Sequence, residues 1–335
     1  MKRTMDKGKL NELVLGGKTA SGDTFGSRLD ASDSERFSNA LIKKGCKLQV
    51  LGLSYCNIEN VEAMLACTLH LQNLQELYIA KLANVKNFRA IGQTLRLLLS
   101  SSKTLRVLGL NDNAFDEGCT ADILHGLNEN ESLMKLHMSQ VPIHPATLTF
   151  HDTDGHHPLQ VLELDNLSTS LAKFPGDLST SLAETGSIAD ARFFPFLMES
   201  LTKFTQLRTL KCRKLVTTGP SWSFDSKLMQ DALTGLRSLE MLQHLDLSEC
   251  NLDTTCLVAV FEALRNSPVT RLILDGNNSG DLTVFNSIMR NLQYRNSEMQ
   301  VLSIKSVFTR VLTLDRELTV HETLVNAFPT VAIRI

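Results

Sequence analysis

The chain lacks most of what would mark it for chemistry or for a membrane. No apolar stretch approaches the roughly 20 residues that a membrane-spanning helix needs. Charge of one sign is not in excess either: 34 basic side chains face 36 acidic ones, a formal net charge of −2, and like charges form no long block. That balance gives no global pull toward nucleic acid or an anionic membrane, so neither is expected as a partner. Aromatic residues make up 6% of the chain, with a single tryptophan, Trp222. The seven cysteines, at 46, 56, 67, 119, 212, 250 and 256, are odd in number and scattered, which reads as buried, reduced thiols rather than a disulfide framework. Residues 1–9 are charged and precede no apolar core, so they do not read as a secretory signal. The expectation is cytoplasmic residence, with the nucleus left open.

Catalytic signatures are missing as well. Neither Gly-x-Ser-x-Gly nor His-Glu-x-x-His occurs. Gly16-Gly17-Lys18-Thr19 echoes a phosphate-binding loop, but Glu12 stands where that loop needs its first glycine, and no helical pattern follows directly. His151, Asp152, Asp154, His156 and His157 form the one dense group of metal-ligand types, yet no second group at fixed spacing completes a tetrahedral site. A solvated turn is the simpler expectation there. No acid, base or nucleophile stands out, so an enzyme is not expected and no cofactor is assigned.

What the chain has in abundance is one phrase, Leu-x-x-Leu-x-Leu. It reads Leu48, Leu51, Leu53; Leu105, Leu108, Leu110; Leu159, Leu162, Leu164; and Leu242, Leu245, Leu247. Imperfect copies open at Leu10, Leu74, Leu133, Leu207, Val269, Met299 and Phe328, with intervals clustering near 28 residues. Two apolar residues separated by one other lie on the same face of a strand. After the triplet comes a helical spacing, as in Ile123, Leu124 and Leu127, or Leu257, Val260, Phe261 and Leu264. Each unit is thus a short strand and an amphipathic helix, neither of which can bury its apolar side alone. Stacking the units solves this for both. Helices are wider than the strand spacing, so such a stack is expected to curve with the sheet inside.

The segments Leu-Arg-Val-Leu-Gly-Leu-Asn-Asp-Asn-Ala-Phe at 105–115 and Leu-Gln-His-Leu-Asp-Leu-Ser-Glu-Cys-Asn-Leu at 242–252 carry a family resemblance. The chain resembles leucine-rich repeat proteins, and within them the long-repeat class shared by ribonuclease inhibitors and Ran GTPase-activating proteins. That resemblance implies an α/β fold, a right-handed solenoid or horseshoe of about ten to eleven repeats. Parallel strands would line its concave side and helices its convex side. In the family an Asn or Cys after the strand ties neighbouring turns together; Cys56, Asn113, Cys250 and Asn277 match it. Leu82, Val141, Leu167, Leu215 and Val307 do not, so those turns are expected to satisfy their backbone locally or with water.

One domain is expected over residues 1–335, interrupted by insertions near 17–36, 167–187 and 216–226. The first reads as a Gly/Ser-rich loop followed by a helix with Phe37, Leu41 and Ile42 on one side. The second holds the sequence Leu-Ser-Thr-Ser-Leu-Ala twice, at 167–172 and 178–183. The third carries Trp222 and Phe224, either a small core of its own or an exposed anchor. At the far end, residues 330–335 read as an uncovered edge strand, which predicts self-association or a partner docking there.

The residues between the leucines define the exposed sheet face. Its larger and charged members are Tyr78, His137, Glu163, Asp165, Lys211, Arg213, His244, Asp246, Arg271 and Asp275, and these with Trp222 are the candidate partner-binding residues. Glu163 and Asp165 are placed to meet Lys211 and Arg213, and these to meet Asp246. Such a strip is an internal ladder of ion pairs, a contact surface, or both. The functional expectation is a non-enzymatic scaffold that binds a protein partner through the sheet and the strand-to-helix rim. The alternative, by the same resemblance, is a regulator of a small GTPase or other enzyme, with Asn111 and Asn113 the nearest counterparts of that class's polar rim.

Overall fold

A computed structural model of the chain describes residues 10–18, 24–26, 28–42, 46–82, 85–141, 157–165, 197–198, 200–201, 204–214, 226–277, 281–295, 298–308 and 314–335. The chain divides into two compact units, Met1–Leu159 and Gln160–Ile335.

In the first unit the leucine triplets form β1 (Glu12–Val14), β2 (Val50–Gly52), β3 (Glu76–Tyr78), β4 (Val107–Gly109) and β5 (Lys135–His137). They pair in sequence order, all parallel and without offset, so that Leu13, Leu51, Leu77, Leu108 and Leu136 form one row. All five of these side chains are buried. The second unit repeats the arrangement with β6 (Val161–Glu163), β7 (Thr209–Lys211), β8 (His244–Asp246), β9 (Arg271–Ile273), β10 (Val301–Ser303) and β11 (Ala332–Arg334). Its row is Leu162, Leu210, Leu245, Leu272, Leu302 and Ile333. Three-residue strands are marginal alone; here every central residue except the half-exposed Ile333 is in the core, while its two neighbours face the other way. Ten of the eleven strands fall on the residues that the triplets predict; β11 lies two residues later than Phe328, Val331 and Ile333 imply, with Ile333 rather than Val331 in the row of Leu302.

Beyond eight of the strands the chain turns through the same strained step. The second residue after the closing apolar position has a positive φ in Tyr55, Lys81, Asp112, Gln140, Lys214, Glu249, Gly276 and Ser306. Only one of these is a glycine, although the left-handed region disfavours other L-residues. What holds them there is a second backbone ladder on the turns. The amide of Lys81 donates to Asn111 O at 3.2 Å, Asp112 to Ser139 O at 2.8 Å, Glu249 to Asp275 O at 2.7 Å and Gly276 to Lys305 O at 2.8 Å.

The helices are α1 (Ala31–Leu41), α2 (Val61–Ala66), α3 (Phe88–Ser101), α4 (Glu117–Asn128), α5 (Ser226–Thr234), α6 (Thr254–Ala263), α7 (Leu282–Arg295) and α8 (Leu314–Ala327). Several begin at an Asp or Asn whose side chain accepts a first-turn amide: Asp30, Asn60, Asn87, Asp116 and Asp253. In the first unit α3 and α4 come unusually close. A Cβ on Gly126 would lie 2.7 Å from Arg96 Cα, and one on Gly92 2.7 Å from Cys119 Cα. These two helical glycines let the backbones of adjacent repeats touch.

The first insertion is more ordered than a Gly/Ser-rich loop. Gly16–Lys18 pairs antiparallel with Thr24–Gly26, and Arg28–Leu29 pairs with Asn57–Ile58 before α1 begins. The glycine-lysine segment is therefore a strand of a hairpin, not a turn into a helix. Phe37 and Leu41 are buried as expected, but Ile42 is 46% exposed, because α1 ends at Leu41 and Ile42 caps it. The insertions at 167–187 and 216–225, with Leu167, Leu215 and Trp222, lie outside the described residues. Of the cysteines, five are buried, whereas Cys46 and Cys67 are half-exposed.

Three of the turn positions work as the resemblance implies, Cys250 by donating its thiol to Cys212 O of the preceding repeat at 2.7 Å. Asn113 donates from Nδ2 to Ile79 O at 2.8 Å and Leu110 O at 3.0 Å, joining successive turns. Asn277 does the same to Leu247 O at 2.9 Å and Leu274 O at 2.8 Å. The aliphatic Leu82 turn is satisfied in a way not expected from the sequence. Its amide donates to Asn113 Oδ1 of the next repeat at 3.2 Å. A neighbour's asparagine completes a turn that has none of its own.

Candidate functional site

The exposed sheet face of the second unit carries eight of the eleven candidate residues. In register, one row runs Thr209, His244, Arg271, Val301, and the next runs Glu163, Lys211, Asp246, Ile273, Ser303. The apolar partner of each strand faces inward, which leaves these side chains no option but the outer face.

The acids on this face are engaged within the chain. Lys211 Nζ donates to Glu163 Oε1 at 2.5 Å. Arg213 pairs with Asp165 through its guanidinium, and its amide donates to the same carboxylate at 3.4 Å. Asp165 also raises the Arg213 pKa above its ordinary value, chiefly through that hydrogen bond. Asp246 is buried, only 7% exposed. Its Oδ1 accepts from the amide of Ser248 at 3.0 Å and from the Ser248 hydroxyl at 2.5 Å, and Arg213 lies 4.0 Å from its other oxygen. Asp275 accepts the amide of Lys305 at 2.9 Å. Glu163, Asp165, Lys211, Arg213 and Asp246 thus form one cluster across β6, β7 and β8, as the sequence predicted.

His244 and Arg271, on β8 and β9, are placed differently. His244 and Arg271 are register neighbours, both exposed. Partial burial lowers the His244 pKa, and the positive charges of Arg271 and Lys211 lower it further. Arg271 and Lys305 form no ion pair among the described residues.

On the first unit, Tyr78 and His137 share a row with only Gly109 between them. The Tyr78 ring covers that glycine: a Cβ there would meet its Cδ1 at 2.8 Å. The Tyr78 hydroxyl donates to Glu76 at 2.8 Å, and burial, then that bond, push its pKa up to about 12. The phenol stays protonated and acts as a fixed donor. Val14 covers Gly52 in the same manner.

A feature missed at the sequence level runs along the turns of this unit. Tyr55 Oη donates to Asp112 Oδ2 at 2.9 Å, and Lys81 Nζ lies 5.9 Å from the Tyr55 ring centroid. In the second unit Lys214 pairs with Glu249 at 3.1 Å. All five side chains belong to the left-handed position. The register of the triplets was signal enough to find them, two residues beyond each closing leucine or its substitute.

Several other candidates resolve into structural parts. His157 is buried, not in a solvated turn. Leu159 N donates to its Nδ1 at 3.2 Å, so Nε2 carries the ring proton and donates to Leu127 O at 2.9 Å. Burial lowers its pKa, which keeps it neutral. The other members of that histidine–aspartate cluster lie outside the described residues; among the described ones no group of three metal-ligand side chains occurs. Asn111 accepts the amide of Ser139 at 2.8 Å, and Asn113 is buried between turns. The asparagines of the GTPase-regulator reading are therefore bound to backbone. No helix among the described residues is long and apolar enough to cross a membrane.

No protein-family model matches the chain, and no curated protein does. Among solved structures it is similar to internalin C2 from Listeria monocytogenes, at 14% sequence identity over 74% of this chain and 82% of that one, with a TM-score of 0.32. That likeness is too slight to carry a functional reading, and the chain's own repeated strand, turn and helix carry it instead.

Proposed function

We propose that the protein is a non-catalytic scaffold that binds a protein partner through the exposed face of its parallel strands and the adjoining turns. This is the reading that the leucine-rich resemblance favours. The observation that carries it is the fixation of the outward side chains. Tyr78, Glu163, Asp165, Lys211, Arg213 and Asp246 are each held by a neighbouring repeat or by their own strand or turn. A surface ordered before contact loses little side-chain entropy on binding. A pattern of opposite charges that is already locked confers specificity more than affinity. Cytoplasmic residence and a single domain belong to the same proposal.

The test exploits the Glu163–Lys211 pair. Exchanging its members, Glu163→Lys with Lys211→Glu, preserves the internal ion pair while reversing the charges presented to a partner. The double variant should unfold at the same denaturant concentration as the parent and lose at least about tenfold in affinity for the captured native partner. Unaltered affinity in the folded variant removes the sheet face as the binding surface.

A further inference from the structure

We infer that the part of the second unit's exposed sheet face centred on Arg271, with His244 beside it, takes an acidic segment of the protein partner. The inference rests on the scaffold reading and adds the chemistry of the ligand.

The argument is a charge account of one face. Its acids are Glu163, Asp165, Asp246 and Asp275. Glu163 is bound to Lys211, and Asp165 to Arg213. Asp246 is turned into its own strand exit by Ser248, and Asp275 is tied to the Lys305 amide. Asp246 and Asp275 keep their charge, because the donors that hold them are neutral apart from Arg213 beside Asp246, yet neither forms an ion pair with the cations of β9 to β11 among the described residues. Those cations, Arg271, Lys305 and Arg334, are exposed and without an ion pair among the described residues, and His244 stands beside Arg271 in register. The neighbouring outward positions are Thr209, Val301, Ile273 and Ser303, none of them charged. Partial burial, then the positive charges of Arg271 and Lys211, lower the His244 pKa, so the imidazole stands beside Arg271 as a neutral hydrogen-bonding group near pH 7.

The geometry also selects the kind of acid. The His244 imidazole and the Arg271 guanidinium rise from adjacent strands, spaced by the strand separation of about 4.8 Å. An extended peptide crossing the strands meets His244 and Arg271 in succession, and the small or apolar side chains flanking them leave its backbone room to lie close. Arg271 offers a planar fork that matches a carboxylate with two parallel hydrogen bonds. A phosphate backbone would find few cations beyond these, because Lys211 and Arg213 are already paired.

The experiment uses the full chain and three fluorescent probes of equal length: a glutamate/aspartate-rich peptide, a lysine-rich peptide and a single-stranded oligonucleotide. The acidic peptide should bind more tightly than either of the others, and its affinity should fall as salt is raised. Arg271→Glu, an exposed substitution whose fold is verified by an unchanged unfolding midpoint, should weaken that binding by about tenfold or more. Arg271→Lys should recover part of it. Equal binding of the acidic peptide by the parent and Arg271→Glu overturns the inference, as does preference for the lysine-rich peptide or the oligonucleotide. A photo-crosslinker at Thr209 separates the two layers of the argument. Crosslinks from the native partner that map to a segment without acidic residues leave the scaffold reading standing and sink this one. Absence of any crosslink to a partner that is nonetheless captured sinks both.

Discussion

At the scale of the residue, the turn after eight of the strands shows what repetition can impose on an unwilling side chain. Eight turns place a residue at positive φ, between 47° and 74°, and seven of those residues are not glycine. The left-handed conformation costs an L-residue about 1–2 kcal/mol, so each turn is held by its hydrogen bonds against that cost. Two substitutions probe it in opposite directions. Gln140→Gly removes the strain at an exposed site and should raise stability by about 0.5–1 kcal/mol, the gain being trimmed by the extra freedom of glycine in the unfolded chain. Gly276→Ala introduces the strain and brings a Cβ within 2.8 Å of Glu249 Cγ. It should lower stability by about 1–2 kcal/mol. Urea unfolding of both variants would read the two shifts, and shifts of the same sign would show that the turn backbone is not what limits these positions. The position was legible in the triplet register but its conformation was not, since residues as different as Tyr55, Lys81 and Ser306 share it. Their identity gives no hint of a left-handed turn.

At the scale of the element, strands were legible and helix packing was not. The period-two triplet marks a strand because its alternation survives any outer residue, and ten of the eleven strands fall where the triplets lie, the last standing two residues later. Helix contacts depend instead on single small residues inside otherwise ordinary helical sequence. Gly126 and Gly118 look alike on paper, both inside α4. In the structure, a Cβ at Gly118 would meet only Asp116 Oδ1 at 3.6 Å, while one at Gly126 would strike the backbone of α3. Alanine has the better helix propensity at both sites. Gly118→Ala should therefore be neutral or stabilising by less than about 1 kcal/mol. Gly126→Ala forces the two helices apart and should destabilise by about 1–3 kcal/mol. Thermal unfolding of the two variants side by side would test the contrast, and matching behaviour would dismiss the close approach of α3 and α4 as an energetic constraint.

At the scale of the whole molecule, the charged surface was partly legible. The sequence placed Glu163, Asp165, Lys211, Arg213 and Asp246 together because a parallel, unshifted ladder makes neighbours of equivalent residues. It did not distinguish acids committed to the turn backbone from acids available to a partner, because that depends on rotamers rather than register. The histidines were harder still. His157 reads from sequence as part of a polar loop, and its burial comes from where the chain re-enters the core ahead of β6. That burial has a consequence for the stability of the folded state. His157 and His244 both have folded-state pKa values below the ordinary 6.5. As pH falls below about 6.5, the unfolded chain takes up protons that the folded one does not, and stability declines through the window down to the folded values. Above that window their contribution is fully present. His157, the more deeply buried of the two, carries the larger share. Replacing it with glutamine, which does not titrate here, should lower stability at neutral pH, because the bonds to Leu127 and Leu159 are altered. It should also flatten the decline between about pH 7.5 and about pH 5.5. Urea midpoints across that range, for the parent and His157→Gln, decide the matter: parallel curves would mean that His157 becomes protonated as readily in the folded core as in the unfolded chain.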